Sequence, residues 1–551
     1  MLSCLRVDPT PAILLGFFAS RMPPILADTG AYLRISVNDS HYLLQTYLYI
    51  GLVLFIAIVV LLAYWGSTKT HTMADFAIAG ETLGPYVLGA AYAATFFSAA
   101  TFVGYVGWSY EMGYSNLWKW LSLLAAGPIS LIIFAKRVRS QNLHMQTVSL
   151  PDWLGAFYNS QFVRVGVAVG VLFNIIYIGA QLTAGAQIFE VLLGWEYTTG
   201  LVFITVLVTL YVMAGATYAD VYTDAIQGVL MAFMGVFIFV SVFWVFDWSA
   251  IQTFPQLSAE LEAIDPALVS VINTDSILFY SAFAIFAVFF MDFVFAAQPQ
   301  LFNKVLALEN PADLRKMIGT YVVLTVLFIV VVFAGFYMRA LDPTLPLADQ
   351  AIFVYVQEFF PAIVAAFLGI VILSAALSTT DGIYIVVSTA VANDIFLEFL
   401  VGEGHIEMEQ ARADRISRYL AQATTLAVGV VAFFIVLEPP ALLGELIWVG
   451  ISGVAAASVP PVMLGIYFPN FVTRRGACAS VVAGLGGYPL IYFFTDVPSI
   501  LVQGTYAVVF ATVVMIVVSA LTEQEPGVAA LNDRSERRTP DDQPRRTTAD
   551  D

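Results

Sequence analysis

Long apolar segments recur along the chain from about Tyr47 to about Ala520, separated by short polar interruptions. Each is long enough to cross a bilayer as a helix, and none shows the short apolar and polar alternation of a barrel wall. The pattern predicts an all-α integral membrane protein with about 13 transmembrane helices, at 45–65, 84–112, 115–135, 160–190, 197–214, 217–247, 275–302, 314–340, 362–396, 417–437, 440–468, 475–494 and 500–522.

Composition supports this class of protein. Of the 551 residues, 60% are hydrophobic and 11% are charged, and the mean hydropathy is +0.84. Such values are typical of a polytopic membrane protein, so we expect a lipid bilayer around the chain and no nucleic-acid partner. The predicted spans contain no His pair, metalloprotease motif or nucleophile motif, so an enzyme is not expected.

The basic residues indicate the orientation. Most of the 23 Lys and Arg residues lie in alternate loops or flanks, at 66–83, 136–164, 303–316, 396–418, 469–475 and after 522. Because cytoplasmic loops carry the excess of Lys and Arg, these segments are predicted to be cytoplasmic. The protein is then a multi-pass protein of the cell membrane with an extracellular N-terminal segment, 1–44, and a disordered cytoplasmic tail, 523–551.

The second predicted span has small and hydroxylated residues at its centre, among them Thr95, Ser98 and Thr101. In the hydrocarbon of a membrane, the backbone N–H and C=O groups of a helix normally bond to one another within that helix. Transporters use broken helices, whose backbone groups are free, to hold ions. A break here would free the carbonyl groups around residues 94–97. Close packing of small residues is the alternative explanation.

A second polar group lies in the apolar run SAALSTTDGIYIVV. On one helix Ala375, Ser378 and Thr379 share a face, so two hydroxyls and a nearby carbonyl point the same way. Together with freed carbonyls from the second span they would form an oxygen cage suited to a hard monovalent cation. Alternatively, the hydroxyls bond back to carbonyls four residues earlier in their own helix.

An acidic residue, Asp224, lies near the predicted cytoplasmic start of a span. A carboxylate at depth costs about 2.5 to 3.5 kcal/mol on insertion scales, so such a residue is a candidate for function. The alternatives are that it is solvated at the interface or that it is an anion at the positive end of a helix.

Four blocks carry a resemblance to a known family. They are DFAIAGETLGPYVLGAAYAATFFSAATFVGYVGWSYEMGY at 75–114, YADVYTDAIQGVLM at 218–231, QPQLFNKVLALENPADLRK at 298–316 and LSAALSTTDGIYIVVSTAVANDIF at 373–396. Together, and in this order, they resemble the sodium/solute symporter family, which contains bacterial proline, sialic acid, galactose, pantothenate and acetate carriers. The resemblance implies that the protein transports a solute together with sodium ions (Na+).

The resemblance also implies a LeuT-like fold, in which two inverted five-helix repeats surround a site at the middle of the membrane. The repeats would span 84–247 and 275–468, after an extra N-terminal helix at 45–65 and before two C-terminal helices within 475–522.

Matched by motif, the main sodium site of the family falls on three carbonyls and two hydroxyls, those of Ala94, Phe97, Ala375, Ser378 and Thr379. Asp224 matches an acid that in some members lies on a second sodium site or its release route. Where some members have serines after the Ser-Thr pair, this chain has Asp381 and Gly382. The resemblance therefore leaves a second sodium ion open.

Solute contacts are expected near the break, and the candidates are Ser98, Thr101, Lys119, Tyr177, Gln181, Phe290, Phe293 and Trp448, with Gln187, Asp292 and Gln298 as further cavity residues. Thr101, Phe290 and Phe293 replace residues that contact sugar in the galactose carriers, which argues against sugar transport. Lys119 lies where those carriers have an acid. A buried ammonium there would favour an anionic solute, unless the side chain extends to the interface.

These features predict sodium-coupled symport of a small organic solute by alternating access. The FFSAATFVG block is closer to the acetate and pantothenate branches, so a monocarboxylate is the favoured solute. A symporter of proline or another amino acid is one alternative. A proton-coupled carrier that uses a titrating acid such as Asp224 or Asp292 is the other.

Overall fold

The computed structural model describes residues 37–249, 251–438 and 442–523. The predictions for most of the extracellular segment 1–44 and for nearly all of the tail 523–551 lie outside these residues. The described chain is helical, and within it the extended pairing is confined to an isolated parallel bridge between Leu83 and Leu308. The prediction of an all-α protein is confirmed.

The first half of the chain contains the α-helices α1 (Val37–Ser67), α2 (Met73–Ile78), α3 (Pro85–Phe96), α4 (Val106–Met112), α5 (Leu117–Met145), α6 (Leu150–Phe157), α7 (Gln161–Val171), α8 (Asn174–Leu193), α9 (Tyr197–Val240), α10 (Val242–Val245) and α11 (Thr253–Ile264). The second half contains α12 (Ala282–Phe295), α13 (Pro299–Leu306), α14 (Leu314–Phe328), α15 (Phe333–Leu341), α16 (Ala351–Phe359), α17 (Ala362–Thr389), α18 (Gln410–Ile435), α19 (Leu443–Tyr467), α20 (Arg474–Phe494) and α21 (Ile500–Leu521).

Within the described residues, 11 helical stretches have the length and hydropathy of a membrane span, or 12 if α12 and α13, which meet at a 40° bend, form one more. The 44-residue element α9 holds two of them, Tyr197–Ala214 and Thr217–Val245. The predicted span 84–112 accounts for the difference between 12 and the predicted 13, because it is divided into α3, a π-helical turn at Ala100–Tyr105 and α4.

Several helices extend beyond the apolar runs that predicted them. Helix α5 continues past the expected end at residue 135 to Met145. Its charged last turns are held in place by Arg139, whose guanidinium lies 2.7 Å from the carbonyl of Leu308 and 2.9 Å from the carboxylate of Glu81. Hydropathy marks where the membrane ends, whereas backbone hydrogen bonds continue the helix into water.

The broken span is surrounded by other helices. Helix α3 packs against α9, α14 and α17. The approach to α9 is close at Gly228, where an added Cβ would lie 2.6 Å from the carbonyl oxygen of Ala90. Small residues at such crossings let helix backbones approach in a membrane. This packing holds the end of α3 against the middle of α17.

Candidate ion and solute site

Helix α3 stops inside the bundle. Its last backbone hydrogen bond runs from the amide of Phe97 to the carbonyl of Ala93, 2.9 Å away. Phe97 itself has φ −101° and ψ 79°, outside the helical region. The carbonyls of Ala94 and Thr95 are therefore available to other donors. The structure has a break where the sequence predicted one, and packing of small residues alone does not account for it.

The hydroxyls of α17 meet these carbonyls. Ser378 Oγ lies 3.2 Å from the carbonyl oxygen of Ala94 and 3.0 Å from that of Ala375. Thr379 Oγ1 donates to the carbonyl of Thr95 at 3.0 Å. Both hydroxyl side chains are fully buried. Ser378 also bonds within its own helix, to the carbonyl three residues earlier rather than the four of the alternative explanation, whereas the structure gives Thr379 no such bond among the described residues.

The arrangement differs from the expected set of oxygens in one respect. The carbonyl opposite Thr379 belongs to Thr95, which lies within the predicted break at 94–97 but is not among the five oxygens matched to the family. The ring of Phe97 packs on Phe328 at 5.0 Å between centroids. No hydrogen bond between described residues joins Phe97 to either hydroxyl of α17. We call the carbonyl and hydroxyl oxygens of Ala94, Thr95, Ala375, Ser378 and Thr379 the oxygen cage.

Asp224 lies next to the oxygen cage. Its carboxylate accepts a hydrogen bond from Thr95 Oγ1 at 2.8 Å, and the side chain is fully buried within α9. A solvated carboxylate at the interface and an anion at a helix start are therefore both excluded. Thr95 therefore takes part in both places: its carbonyl belongs to the oxygen cage, and its hydroxyl donates to Asp224.

Two more acids and a lysine surround Asp224. Carboxylate oxygens of Asp220, Asp224 and Asp381 all lie within 4.8 Å of one another. Lys304 Nζ lies 2.8 Å from Asp220 Oδ2 and 2.9 Å from Asp224 Oδ2. Asp381 Oδ2 has no hydrogen-bond partner among the described residues. We call these four residues the acid cluster. In it, three buried carboxylates face one ammonium.

Asp224 and Asp381 were identified from the sequence, whereas Asp220 and Lys304 were not. One signal was present, since Asp220 and Asp224 lie four residues apart and share a helix face. Lys304 lies two residues beyond the predicted span 275–302, in a flank predicted to be cytoplasmic, and its position facing α9 depends on how α13 packs.

Three of the predicted solute contacts lie together beside the break. Ser98 Oγ lies 3.2 Å from the hydroxyl of Tyr177, and the amide nitrogen of Gln181 donates to Ser98 Oγ at 3.2 Å. Thr101, in the π-helical turn, is fully buried, and its hydroxyl has no hydrogen-bond partner among the described residues.

Lys119 does not extend to the interface, so that alternative is wrong. The side chain is fully buried and forms an ion pair with Asp292, with 2.5 Å between Nζ and Oδ1. Its ammonium also lies 4.4 Å from the ring centroid of Trp448 and 4.6 Å from that of Tyr105. The Lys119 ammonium, which was expected to attract an anionic solute, is therefore paired with a carboxylate inside the protein.

The two remaining candidates lie elsewhere. Phe290 and Phe293 are half-buried, and Phe290 stacks on the exposed ring of Phe286 at 6.0 Å. On α12 these three rings share one face, whereas the buried Asp292 and Phe295 lie on another. The structure does not bring Phe290 or Phe293 to the break.

Comparison with known proteins identifies the family. The profile of the Sodium:solute symporter family matches residues 76–484. The chain belongs to the sodium:solute symporter family. This symporter is 26% identical to a sodium/pantothenate symporter of Haemophilus influenzae over 434 residues, which cover 78% of this chain and 86% of that protein. It is 23% identical to the osmoregulated proline transporter OpuE of Bacillus subtilis over 449 residues, 79% of this chain and 86% of that protein.

Solved structures show the fold of the symporter. A substrate-bound, outward-open Na+-coupled sialic acid symporter superposes with a TM-score of 0.70 at 14% identity, covering 87% of this chain and 98% of that chain. Mhp1, a transporter of the nucleobase-cation-symport-1 family, superposes with a TM-score of 0.50 at 12% identity, covering 84% and 99%. The symporter thus has a LeuT-like fold. The family consists of transporters, and its name indicates sodium as the coupling ion.

Proposed function

We propose that the protein is a symporter whose coupling sodium ion is held by the oxygen cage. The observation that supports this most directly is the pairing of Thr379 with the carbonyl of Thr95 and of Ser378 with that of Ala94, across the break. When an ion enters, the hydroxyl protons turn away and the oxygen lone pairs face the cation. The family resemblance adds the carbonyl of Phe97 to this set.

The geometry supports coupling between ion and solute. Sodium in the oxygen cage would hold the end of α3 against α17, and the same break presents Ser98 and Thr101 to a solute. Each ligand would then order the segment that the other binds, and such coupling is reciprocal. One sodium ion that enters down a membrane potential of about 100 mV and a tenfold concentration gradient supplies about 2.3 kcal/mol from the potential and about 1.4 kcal/mol from the gradient.

We propose that Asp224 contributes to a second cation site formed by the acid cluster. Three carboxylates face a single ammonium, and one buried oxygen of Asp381 has no hydrogen-bond partner among the residues that the structure describes. Buried charges are normally paired, so a second cation would complete the cluster.

We propose that the solute is a small organic acid or amino acid. The relatives named above are a pantothenate and a proline transporter, and both compounds carry a carboxylate. Its contacts are Ser98, Thr101, Tyr177, Gln181 and Trp448. The protein lies in the cell membrane with its N-terminus outside and its C-terminus in the cytoplasm, as the Lys and Arg distribution favours.

The test is uptake by proteoliposomes under an imposed sodium gradient. The labelled panel contains acetate, pyruvate, pantothenate, proline and a hexose, and liposomes without protein serve as the control. We expect one carboxylate or amino acid to accumulate only with inward sodium and the hexose not to accumulate. Uptake driven by a pH gradient without sodium would contradict the proposal and support a proton-coupled carrier.

A further inference from the structure

We propose that Lys119 and Asp292 together select a zwitterionic solute. In this view the ion pair opens when the solute binds. The solute carboxylate then pairs with Lys119, and the solute ammonium pairs with Asp292. The inference rests on the proposed function, because it assigns the solute class of that same site. It replaces the expectation of a monocarboxylate with that of an amino acid.

The pair is a matched one. The ammonium of Lys119 has one carboxylate partner, Asp292, and two aromatic faces, those of Tyr105 and Trp448. The second carboxylate oxygen of Asp292 accepts a hydrogen bond from Ser122 Oγ at 2.5 Å. Each charge is therefore balanced once, and the two aromatic faces partly solvate the ammonium by cation–π attraction.

The pair lies beside the break. Tyr105 ends the π-helical turn that follows the break. On the other side, the ring of Phe295 lies 5.9 Å from that of Trp448 and 4.9 Å from that of Phe96, the last residue of α3. The rings of Trp448 and Phe295 therefore lie in succession between the Lys119 ammonium and Phe96. Transporters of this architecture bind solute at such a break.

The charges of the pair determine which solutes fit. An anion that paired with Lys119 would leave Asp292 buried without a partner, which is strongly unfavourable. A cation that paired with Asp292 would likewise leave Lys119 buried without a partner. A neutral solute offers nothing in exchange for opening the pair. A zwitterion replaces one ion pair with two, so that no buried charge is left unpaired.

Matched solutes test this selection directly. Binding to the purified full-length protein in sodium is measured by isothermal titration calorimetry with two triads. The first is proline, cyclopentanecarboxylate and pyrrolidine; the second is alanine, propionate and ethylamine. Within at least one triad, the amino acid should bind at least about 100-fold more tightly than the compound lacking its amine or its carboxylate, because each of these leaves a buried charge unpaired.

Two variants separate recognition from structural support. Asp292→Asn keeps the shape of the side chain but leaves the Lys119 ammonium unpaired, so it should lose the amino acid preference and bind cyclopentanecarboxylate or propionate at least about tenfold more tightly than the unmodified protein does. The exchange Lys119→Asp with Asp292→Lys should restore the amino acid preference. A purely structural pair predicts neither change in rank order.

A milder variant covers the case in which Asp292→Asn does not fold. Ser122→Ala removes the hydrogen bond that orients Asp292 and should weaken amino acid binding several-fold while carboxylate binding stays unchanged. Equal binding of carboxylate and amino acid in the unmodified protein, or an unchanged rank order in the variants, would overturn the inference. Both results leave the proposed function intact if binding still requires sodium. Binding that is independent of sodium for all six compounds would instead count against the proposed function.

Discussion

The hydroxyl of Thr379 donates a hydrogen bond to the carbonyl of Thr95, 3.0 Å away, between residues 284 positions apart in the chain. The hydroxyl of the same Thr95 donates to Asp224 at 2.8 Å. One residue at the end of the broken helix therefore joins the oxygen cage to the acid cluster. Under the proposed function, a cation bound at one of these places would change the cation affinity of the other through this side chain.

Removing that hydroxyl should separate the two places. In Thr95→Val the backbone carbonyl remains for the oxygen cage, but the contact with Asp224 is lost. We expect the Hill coefficient for sodium activation of uptake to fall to about 1, because the two cations no longer favour each other's binding. Thr95→Ser, which keeps the hydroxyl, is the control. An unchanged Hill coefficient in Thr95→Val would show that Thr95 does not link the sites.

The acid cluster should depend on its lysine. Lys304→Met leaves the carboxylates of Asp220, Asp224 and Asp381 without an ammonium, and breaking a buried ion pair costs about 3 to 5 kcal/mol. We expect a large fall in thermal stability in detergent, partly reversed by adding Asp220→Asn.

The matched control for this variant is Lys316→Met. Lys316 also pairs with an aspartate, Asp313, at 2.7 Å, but 55% of its side chain is exposed. Water screens an exposed pair, so its removal should change the stability little. Equal melting temperatures for the two lysine variants would show that the acid cluster does not need the Lys304 charge for stability.

The close contact between α9 and the broken span should not tolerate a methyl group. An added Cβ at Gly228 would lie 2.6 Å from the carbonyl oxygen of Ala90, and overpacking of this kind costs about 1 to 3 kcal/mol. Gly319→Ala is the control, because nothing lies within 4 Å of an added Cβ there and alanine favours a helix by about 1 kcal/mol. In thermal unfolding, Gly228→Ala should therefore melt at a lower temperature than the unmodified protein, and Gly319→Ala at an equal or higher temperature. The reverse order would contradict the packing described.

A buried acid outside the spans predicts a pH dependence. Burial raises the pKa of Asp349 to about 7 from its ordinary value of 3.8, although the amide of Leu443 donates to its carboxylate. Between these two pH values the folded protein holds a proton that the unfolded chain has released. This contribution to stability is therefore lost as pH rises towards 7.

Asp349→Asn isolates this contribution, since asparagine has the same shape and no proton to lose. From pH 5 to pH 8 the melting temperature of the unmodified protein should fall relative to that of the variant. Parallel curves for the two proteins would show that the carboxyl group of Asp349 is ionised over the whole range.

The spans and the break could be predicted from the sequence because their signals are local. Hydropathy marks each crossing, and the cluster of small residues around Thr95 marks the break. Ser378 and Thr379 share a face through helix periodicity alone, and the family blocks add the partner segment. Which of the freed carbonyls at 94–97 faces Thr379 was not predicted, because the register of residues across two helices depends on their packing.

The ionic partners could not be predicted for the same reason. Lys119 and Asp292 lie on α5 and α12, and nothing in either segment indicates that their charges meet. Viewed alone, Lys119 suggests a site for an anion; paired with Asp292, it suggests a site for a zwitterion. This long-range pairing is the basis of the proposed zwitterionic solute, whereas the contacts of Ser378 and Thr379 with the end of α3 follow the predicted break.

The sodium dependence of uptake tests the central claim most directly. Ser378→Ala and Thr379→Ala each remove one hydroxyl from the oxygen cage. Thr380→Ala removes a neighbouring buried hydroxyl that donates to the carbonyl of Ala376 in its own helix, 2.5 Å away. The measurement is the sodium concentration at half-maximal uptake in proteoliposomes, for the solute that the panel identifies. Each cage variant should raise it about 10-fold to 100-fold, while Thr380→Ala stays within about threefold of the unmodified protein. An unchanged value in the double variant Ser378→Ala with Thr379→Ala would show that the coupling sodium binds elsewhere.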